Sequence, residues 1–153
     1  MSNKLPLVSF FINSFQLCSQ FPLLLSLRLS PSIIVIKNPS AIKAKRFKLF
    51  HEEGKATIFW LQSLDDTNVL FSIVEPESFD IEYQIDLSDA DCELIDLQRP
   101  EDAAVVVIVY RNEAEGGKIA ANTRSPVILN LRSRKGMQKF LREVHPTLLY
   151  RAR

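Results

Sequence analysis

From Arg46 onward, apolar and polar residues follow one another in short runs, each closed by turn-forming residues. Arg46 to His51 alternates basic with apolar and sets Phe47, Leu49 and His51 on one face, which predicts a strand. Glu52-Glu53-Gly54-Lys55 reads as a polar turn, and Ala56 to Gln62 (ATIFWLQ), rich in β-branched and aromatic residues, as the second arm of a hairpin. Asp65-Asp66-Thr67-Asn68 is a turn cluster, and Val69 to Val74 (VLFSIV) a further buried strand. Ser88 is placed to cap a helix, with Asp91 three residues on and acids in the first turn to suit the helix dipole. That helix should end near Leu97, ahead of Pro100. Ala103 to Tyr110 (AAVVVIVY) is apolar on both faces and predicts a central strand. Pro126 to Arg132 and Met137 to Leu141 flank a hairpin turn in which Gly136 is expected at the left-handed position. All four glycines are expected in turns, and no internal repeat is visible. The pattern predicts a mostly β fold, a small antiparallel barrel-like domain or sandwich with one short helix.

Residues 1–44 follow a different grammar. Leu5 to Leu27 carries no charge and is long enough to weigh as a membrane span or signal segment. Pro6, Asn13, Gln16, Gln20, Pro22 and four serines interrupt it, and no small-residue cleavage site follows. The basic residues lie mostly after it, so even an inserted segment would leave the following domain in the cytoplasm. It lacks helical or strand periodicity, and Ser30-Pro31-Ser32 and Asn38-Pro39-Ser40 break it with turns. The segment therefore reads as an atypical leader, poorly structured or non-native, that adds little to a body spanning 45–145. Residues 146–153 read as a basic tail.

Length and composition allow one domain with an ordinary core: 153 residues, 46% hydrophobic and 24% charged. The net charge of +1 conceals an asymmetry. Met1 to His51 holds seven basic residues and no acid, whereas Glu52 to Arg153 holds twelve basic and eighteen acidic ones, a net of −6. The acids concentrate between Asp65 and Asp102, where thirteen acidic residues meet one basic residue, Arg99. Such a stretch is either a solvated face that keeps a β protein soluble or a docking surface for a basic partner. It disfavours direct nucleic-acid binding. The basic residues of the carboxyl-terminal region, Arg132 to Arg153, add only a weak signal of that kind. Two distant cysteines, Cys18 and Cys92, match no metal or redox spacing and indicate a reducing compartment.

Catalytic motifs are missing. Four scattered glycines cannot build a phosphate-binding loop or a dinucleotide fingerprint, and neither H-E-x-x-H nor G-x-S-x-G occurs. His51 and His145 are the two histidines, and each reads as a solvated side chain rather than a general base. Asp65-Asp66 could hold a cation but suits turn formation better. The residues thus indicate a protein that is not an enzyme, needs no cofactor or metal, enters no membrane, and works by binding another protein.

The order of these motifs resembles the flagellar assembly factor FliW family. The resemblance rests on Lys45-Arg46-Phe47 and the hairpin into Phe59-Trp60-Leu61-Gln62-Ser63-Leu64-Asp65-Asp66, followed by Leu70-Phe71 and Pro76. It continues through Asp86-Leu87-Ser88-Asp89, Pro100-Glu101-Asp102-Ala103-Ala104-Val105 and Ala121-Asn122. Ser125-Pro126-Val127-Ile128-Leu129-Asn130 and Arg134-Lys135-Gly136 complete it. It implies a cytoplasmic, non-catalytic regulator with an all-β barrel. It also implies two mutually exclusive partners, flagellin and the translational repressor CsrA (carbon storage regulator), so that binding CsrA relieves repression of flagellin synthesis. Partner-binding residues expected on this reading are Gln62, Ser63, Asp65, Asp66, Asp86, Asp89, Glu93 and Asn122. The runner-up is a generic chaperone or interaction module for another secreted protein. The front of the chain departs from the family pattern: Ile33 to Ala44 stands where a Pro/Gly-rich turn is usual. That departure points to an altered reading frame or an incorrect start upstream.

Overall fold

The computed structural model describes residues 10–13, 32–37, 45–51 and 57–142. Among these residues ten strands form: β1 (Phe10–Asn13), β2 (Ser32–Lys37), β3 (Lys45–His51), β4 (Ile58–Ser63) and β5 (Leu70–Val74), then β6 (Gln84–Leu87), β7 (Ala103–Asn112), β8 (Lys118–Ala121), β9 (Val127–Asn130) and β10 (Lys135–Gln138). One α-helix, α1 (Asp89–Leu94), lies between β6 and β7. Seven strands close a ring in the order β5-β4-β3-β2-β10-β9-β7, with β7 pairing back onto β5. Strand β8 is added to β7 outside the ring, and β1 and β6 form a separate two-stranded pair. The expected mostly β barrel with one short helix is what forms. It is antiparallel except at one seam, where β10 runs parallel to β2.

Alternation along the strands sorts the core into two layers. Ile34, Phe47, Leu49, Phe59, Leu61, Ile73, Ala104, Val106, Val127 and Leu129 pack together on one face of the closed sheet. Their neighbours on the other face (Val74, Ala103, Val105, Val107, Ile128 and Met137) meet Tyr83, Ile85, Leu87, Cys92, Ile95 and Leu97 from the β6–α1 segment. Strand β7 is apolar on both faces because it serves both layers at once: Val106 and Val107 are each fully buried, in opposite directions.

Several sequence expectations change at the ends of elements. The helix stops at Leu94 rather than Leu97, since Asp96 takes a left-handed backbone (φ 53°) and turns the chain back towards the barrel. Its start is as expected: the Ser88 hydroxyl accepts from the Asp91 N–H, and the Asp91 carboxylate accepts from the Ser88 N–H. Gly136 does not occupy the left-handed position of its hairpin. Arg134 does, with φ 57°. Gly136 lies within β10, where an added Cβ would come 2.7 Å from Leu129 Cδ2 and 3.1 Å from the Ile128 carbonyl, so close approach rather than backbone freedom requires it. Gly116 and Gly117 do take positive φ in their turn, while Gly54 lies outside the described residues.

The reading of residues 1–44 as a leader that adds little to the fold does not hold for Ser32–Lys37. That segment pairs antiparallel with β3 and parallel with β10, and Ile34 is 2% exposed opposite Phe47. The β-branched run Ile33-Ile34-Val35-Ile36 supplies the propensity, and its register sends Ile34 inward and leaves Ile33 in solvent. Most of Leu5 to Leu27, and Cys18 with it, lies outside the described residues, as do His145 and 146–153. Among the described residues, no helix is long and apolar enough to cross a membrane.

Tyr83 ties the start of the β6–α1 segment to the loop between β8 and β9: it is buried, and its hydroxyl donates to the Thr123 carbonyl at 2.7 Å. Burial pushes the phenol up to about 12. The raised value means that the neutral form is favoured in the fold, so this contribution is intact below pH 10 and fades between pH 10 and about 12. Tyr83→Phe should remove that alkaline component, flattening the loss of stability over this range in urea titrations. An identical alkaline profile for Tyr83→Phe would show that another group carries it.

Candidate functional site

The eight residues expected to bind a partner fall into three places. Gln62 and Ser63 end β4, Asp65 and Asp66 lie in the turn that follows it into β5, and side-chain atoms of all four bond within or beside that turn. Gln62 Nε2 donates to the carbonyls of Thr67 and Val69, each at 3.0 Å. Ser63 is buried, and its Oγ accepts from the Asp65 and Asp66 N–H groups at 3.2 and 3.0 Å. Asp66 Oδ1 accepts from the Asn68 N–H at 3.0 Å. Asp65 reaches across to β3: Oδ2 accepts from the Arg46 N–H at 2.8 Å, and Oδ1 from the guanidinium Nε and Nη2 at 3.2 and 3.0 Å. The backbone N–H of Arg46 foremost, then its guanidinium, holds the Asp65 carboxyl below the usual range. The Q-S-x-D-D run is thus a turn-and-latch device whose side chains bond inward along the turn.

Asp86, Asp89 and Glu93 form the second place. All three are exposed on the β6–α1 segment, and none makes an ion pair among the described residues. The fold brings cations to other acids of the same stretch. Lys139 pairs with Asp91 and Lys135 with Asp96, while Arg99 forks onto Asp102 at 2.9 and 3.1 Å. For Asp91, burial works against ionisation, but the bonds from Lys139 and Ser88 outweigh it and the carboxyl lies below its ordinary range. The Lys135 ammonium lowers Asp96 in the same way. The sequence charge of the stretch is therefore partly cancelled in three dimensions, while Asp86, Asp89 and Glu93 stay exposed on the β6–α1 segment with no ion pair among the described residues.

What fixes this face was not legible as a site. Asn130, 2% exposed, donates from Nδ2 to the carbonyls of Ile95 (3.1 Å) and Asp96 (2.9 Å) just past the helix. Its Oδ1 accepts from the Arg132 and Ser133 N–H groups, and the Ser133 hydroxyl also donates to the Ile95 carbonyl at 2.8 Å. The one available signal was a polar residue ending the apolar run Val127-Ile128-Leu129. The third place is Asn122, half-buried, whose N–H donates to the Ile108 carbonyl where β8 gives way to β9. The Tyr83–Thr123 bond joins this loop to the acidic segment. No three His, Cys, Asp or Glu side chains are grouped to hold a metal among the described residues. His51 stacks edge-on against Phe59, 5.9 Å between centroids.

The FliW protein family model matches residues 39–150, most of the chain. The chain belongs to the FliW family. A relative from Azoarcus sp. (strain BH72), flagellar assembly factor FliW, is 40% identical over 121 residues, covering 75% of this chain and 82% of its own. Flagellar assembly factor FliW of Chromobacterium violaceum is 36% identical over 110 residues, covering 66% and 75% respectively. A crystal structure of the flagellar assembly factor FliW superimposes with a TM-score of 0.57 at 28% identity, over 66% of this chain and 70% of that one. The match begins at residue 39, within the segment that departs from the FliW pattern, and runs eight residues past Arg142. In this FliW-family chain, the motif residues Gln62 to Asp66 are accounted for by the β4–β5 turn.

Proposed function

We propose that this protein is a non-enzymatic flagellar assembly factor of the cytoplasm that binds flagellin and the repressor CsrA at overlapping surfaces, freeing flagellin synthesis from repression when flagellin is exported. Membership in the FliW family and relatives named flagellar assembly factors support the flagellar role. The observation that carries the docking surface is the exposed set Asp86, Asp89 and Glu93 on a segment clamped to the barrel by Asn130, Ser133, Lys135 and Lys139. A rigid acidic face loses little conformational freedom on binding and attracts a basic, RNA-binding partner. Two ligands sharing one surface form an exchange switch whose output follows their relative affinities and concentrations.

Reversing all three acids (D86K, D89K and E93K) changes the local charge by six while leaving the core untouched. Association with CsrA should slow by about tenfold at low salt and lose most of its ionic-strength dependence, since rim charges act chiefly on the encounter rate. Stopped-flow association at two ionic strengths checks this. Unchanged rates in a folded triple variant would return the stretch to a solvated face. A stable ternary complex with flagellin on size-exclusion chromatography would rule out the exchange switch.

A further inference from the structure

Strands β1 and β6 stand apart from the barrel ring as a two-stranded antiparallel sheet. Their register is Phe10↔Leu87, Phe11↔Asp86, Ile12↔Ile85 and Asn13↔Gln84. The fold holds the two strands very differently. Strand β6 is anchored by its own side chains, since Ile85 and Leu87 are fully buried in the layer that contains Val107 and Met137 of the barrel wall. The capping box at Ser88 fixes its carboxyl end to α1, and the Tyr83 bond to the Thr123 carbonyl fixes its amino end. Strand β1 pairs, among the described residues, with β6 alone and over four residues. A ladder that short is marginal in water by itself. The β6 edge is therefore preformed, whereas its occupation by β1 is exchangeable.

Charge separates β1 from other strands that could take its place. Alternation buries Ile85 and Leu87 and turns Gln84 and Asp86 outward. The exposed row begun by Asp86 continues into Asp89 and Glu93 on α1. Any strand on this edge sets one residue opposite Asp86. In β1 the residue in register is Phe11, and the sequence Phe10-Phe11-Ile12-Asn13 holds no cation. A strand with Lys or Arg at that register adds an opposite-charge cross-strand pair that β1 does not offer.

We propose, resting on the acidic docking face at Asp86, Asp89 and Glu93, that the β6 edge is a strand-docking site. Strand β1 occupies it in the free protein, and an extended basic segment of the partner replaces β1 there. Main-chain bonds to β6 supply the affinity, and the acids beside it select the charge. Residues 14–31 tether β1 to β2, so β1 competes as an intramolecular ligand at high effective concentration. An uncharged strand gains nothing over the tethered β1 and is outcompeted, so the same contact filters for basic segments. A second copy of this chain is not the occupant, because its β1 would bring the same uncharged sequence.

Titration of the full chain with a short synthetic peptide of alternating lysine and valine tests this. A peptide of alternating glutamate and valine should bind about tenfold or more weakly, and so should the lysine peptide with a fully N-methylated backbone, which keeps the charge but has no donors. Phe11→Pro with Ile12→Pro in the full chain removes one ladder donor whichever of the two N–H groups faces β6, and should tighten the lysine peptide about tenfold by weakening its competitor. In that variant the β6 amides that face β1 should exchange faster with deuterium and regain protection when the peptide is added. Protection of the Leu61 and Val106 amides reports that the barrel is folded, and the peptide comparisons on the unmodified chain decide the docking mode whatever the variant does. No binding of the lysine peptide would overturn the proposal. Equal binding by the N-methylated peptide would also overturn it while leaving the acidic face intact, and unchanged affinity in the folded double-proline variant would show that β1 does not compete. Failure of CsrA to bind alongside the expected peptide results would instead remove the named partner and leave the docking edge standing.

Discussion

Asn130→Ala should destabilise the protein by about 3 kcal/mol or more, among the larger effects available to any single substitution here. The side chain is buried and makes four hydrogen bonds, two donated to the Ile95 and Asp96 carbonyls and two accepted from the Arg132 and Ser133 N–H groups. Alanine leaves those groups, one buried and three partly buried, without their partner, and an unsatisfied buried group costs roughly 1–3 kcal/mol. Ser133 moderates the loss at one point only, because its hydroxyl still bonds the Ile95 carbonyl. Ser133→Ala alone should therefore cost about 1 kcal/mol. Asn130→Asp keeps the size but replaces the donating amide with a carboxylate facing two carbonyls, and should be at least as damaging as alanine. Urea denaturation read by tryptophan fluorescence and circular dichroism gives the midpoints. A loss under about 1 kcal/mol for Asn130→Ala would mean that the amide does not hold the end of α1, and the rigid acidic face would lose its support.

The distinction between what bonds the fold and what faces outward explains which parts of the sequence were readable. Strands such as Ile58–Ser63 and Ala103–Asn112 were legible because burial on one face or both leaves a periodic trace in residue type. The start of α1 was legible because a capping box is a local device, written within four residues. Its end was not: Asp96 turns back because Asn130 and Lys135, distant in sequence, bond there. Strand β6, with its short alternation Gln84-Ile85-Asp86-Leu87, escaped notice inside an acidic stretch read for charge alone. Strand β8 escaped because four residues, Lys118 to Ala121, with two alanines carry almost no periodic signal. Gly136 was assigned to a turn because a glycine near a hairpin usually sits there, whereas its reason is the Leu129 side chain across the ladder. The motif Gln62-Ser63-Leu64-Asp65-Asp66 was the most distinctive run for recognising the family. In the folded chain its side chains close the β4–β5 turn and tie it to Arg46.

Ile34→Ala tests the part of the chain on which sequence and structure diverge most. If Ser32–Lys37 completes the barrel, Ile34 sits against Phe47, Leu49 and Leu129 in the inner layer, 2% exposed, and its truncation should cost about 2–4 kcal/mol. A closed ring makes the position sensitive, because β2 is the only link between β3 and β10 among the described residues. Opening it would expose the edges of both strands. The neighbouring Ile33 is 53% exposed on the opposite face, so Ile33→Ala should change stability by less than about 0.5 kcal/mol and controls for β-propensity. A family-like barrel that closed without this segment would give a different result: both substitutions neutral, and proteolysis cutting after Lys37 with no change in the denaturation midpoint. The pair of substitutions therefore decides whether the departure from the FliW pattern before Lys45 lies within the folded unit. A large loss at Ile34 alongside a negligible one at Ile33 would show that this unusual front segment has been taken into the barrel as a strand, with the inward and outward alternation that a strand requires.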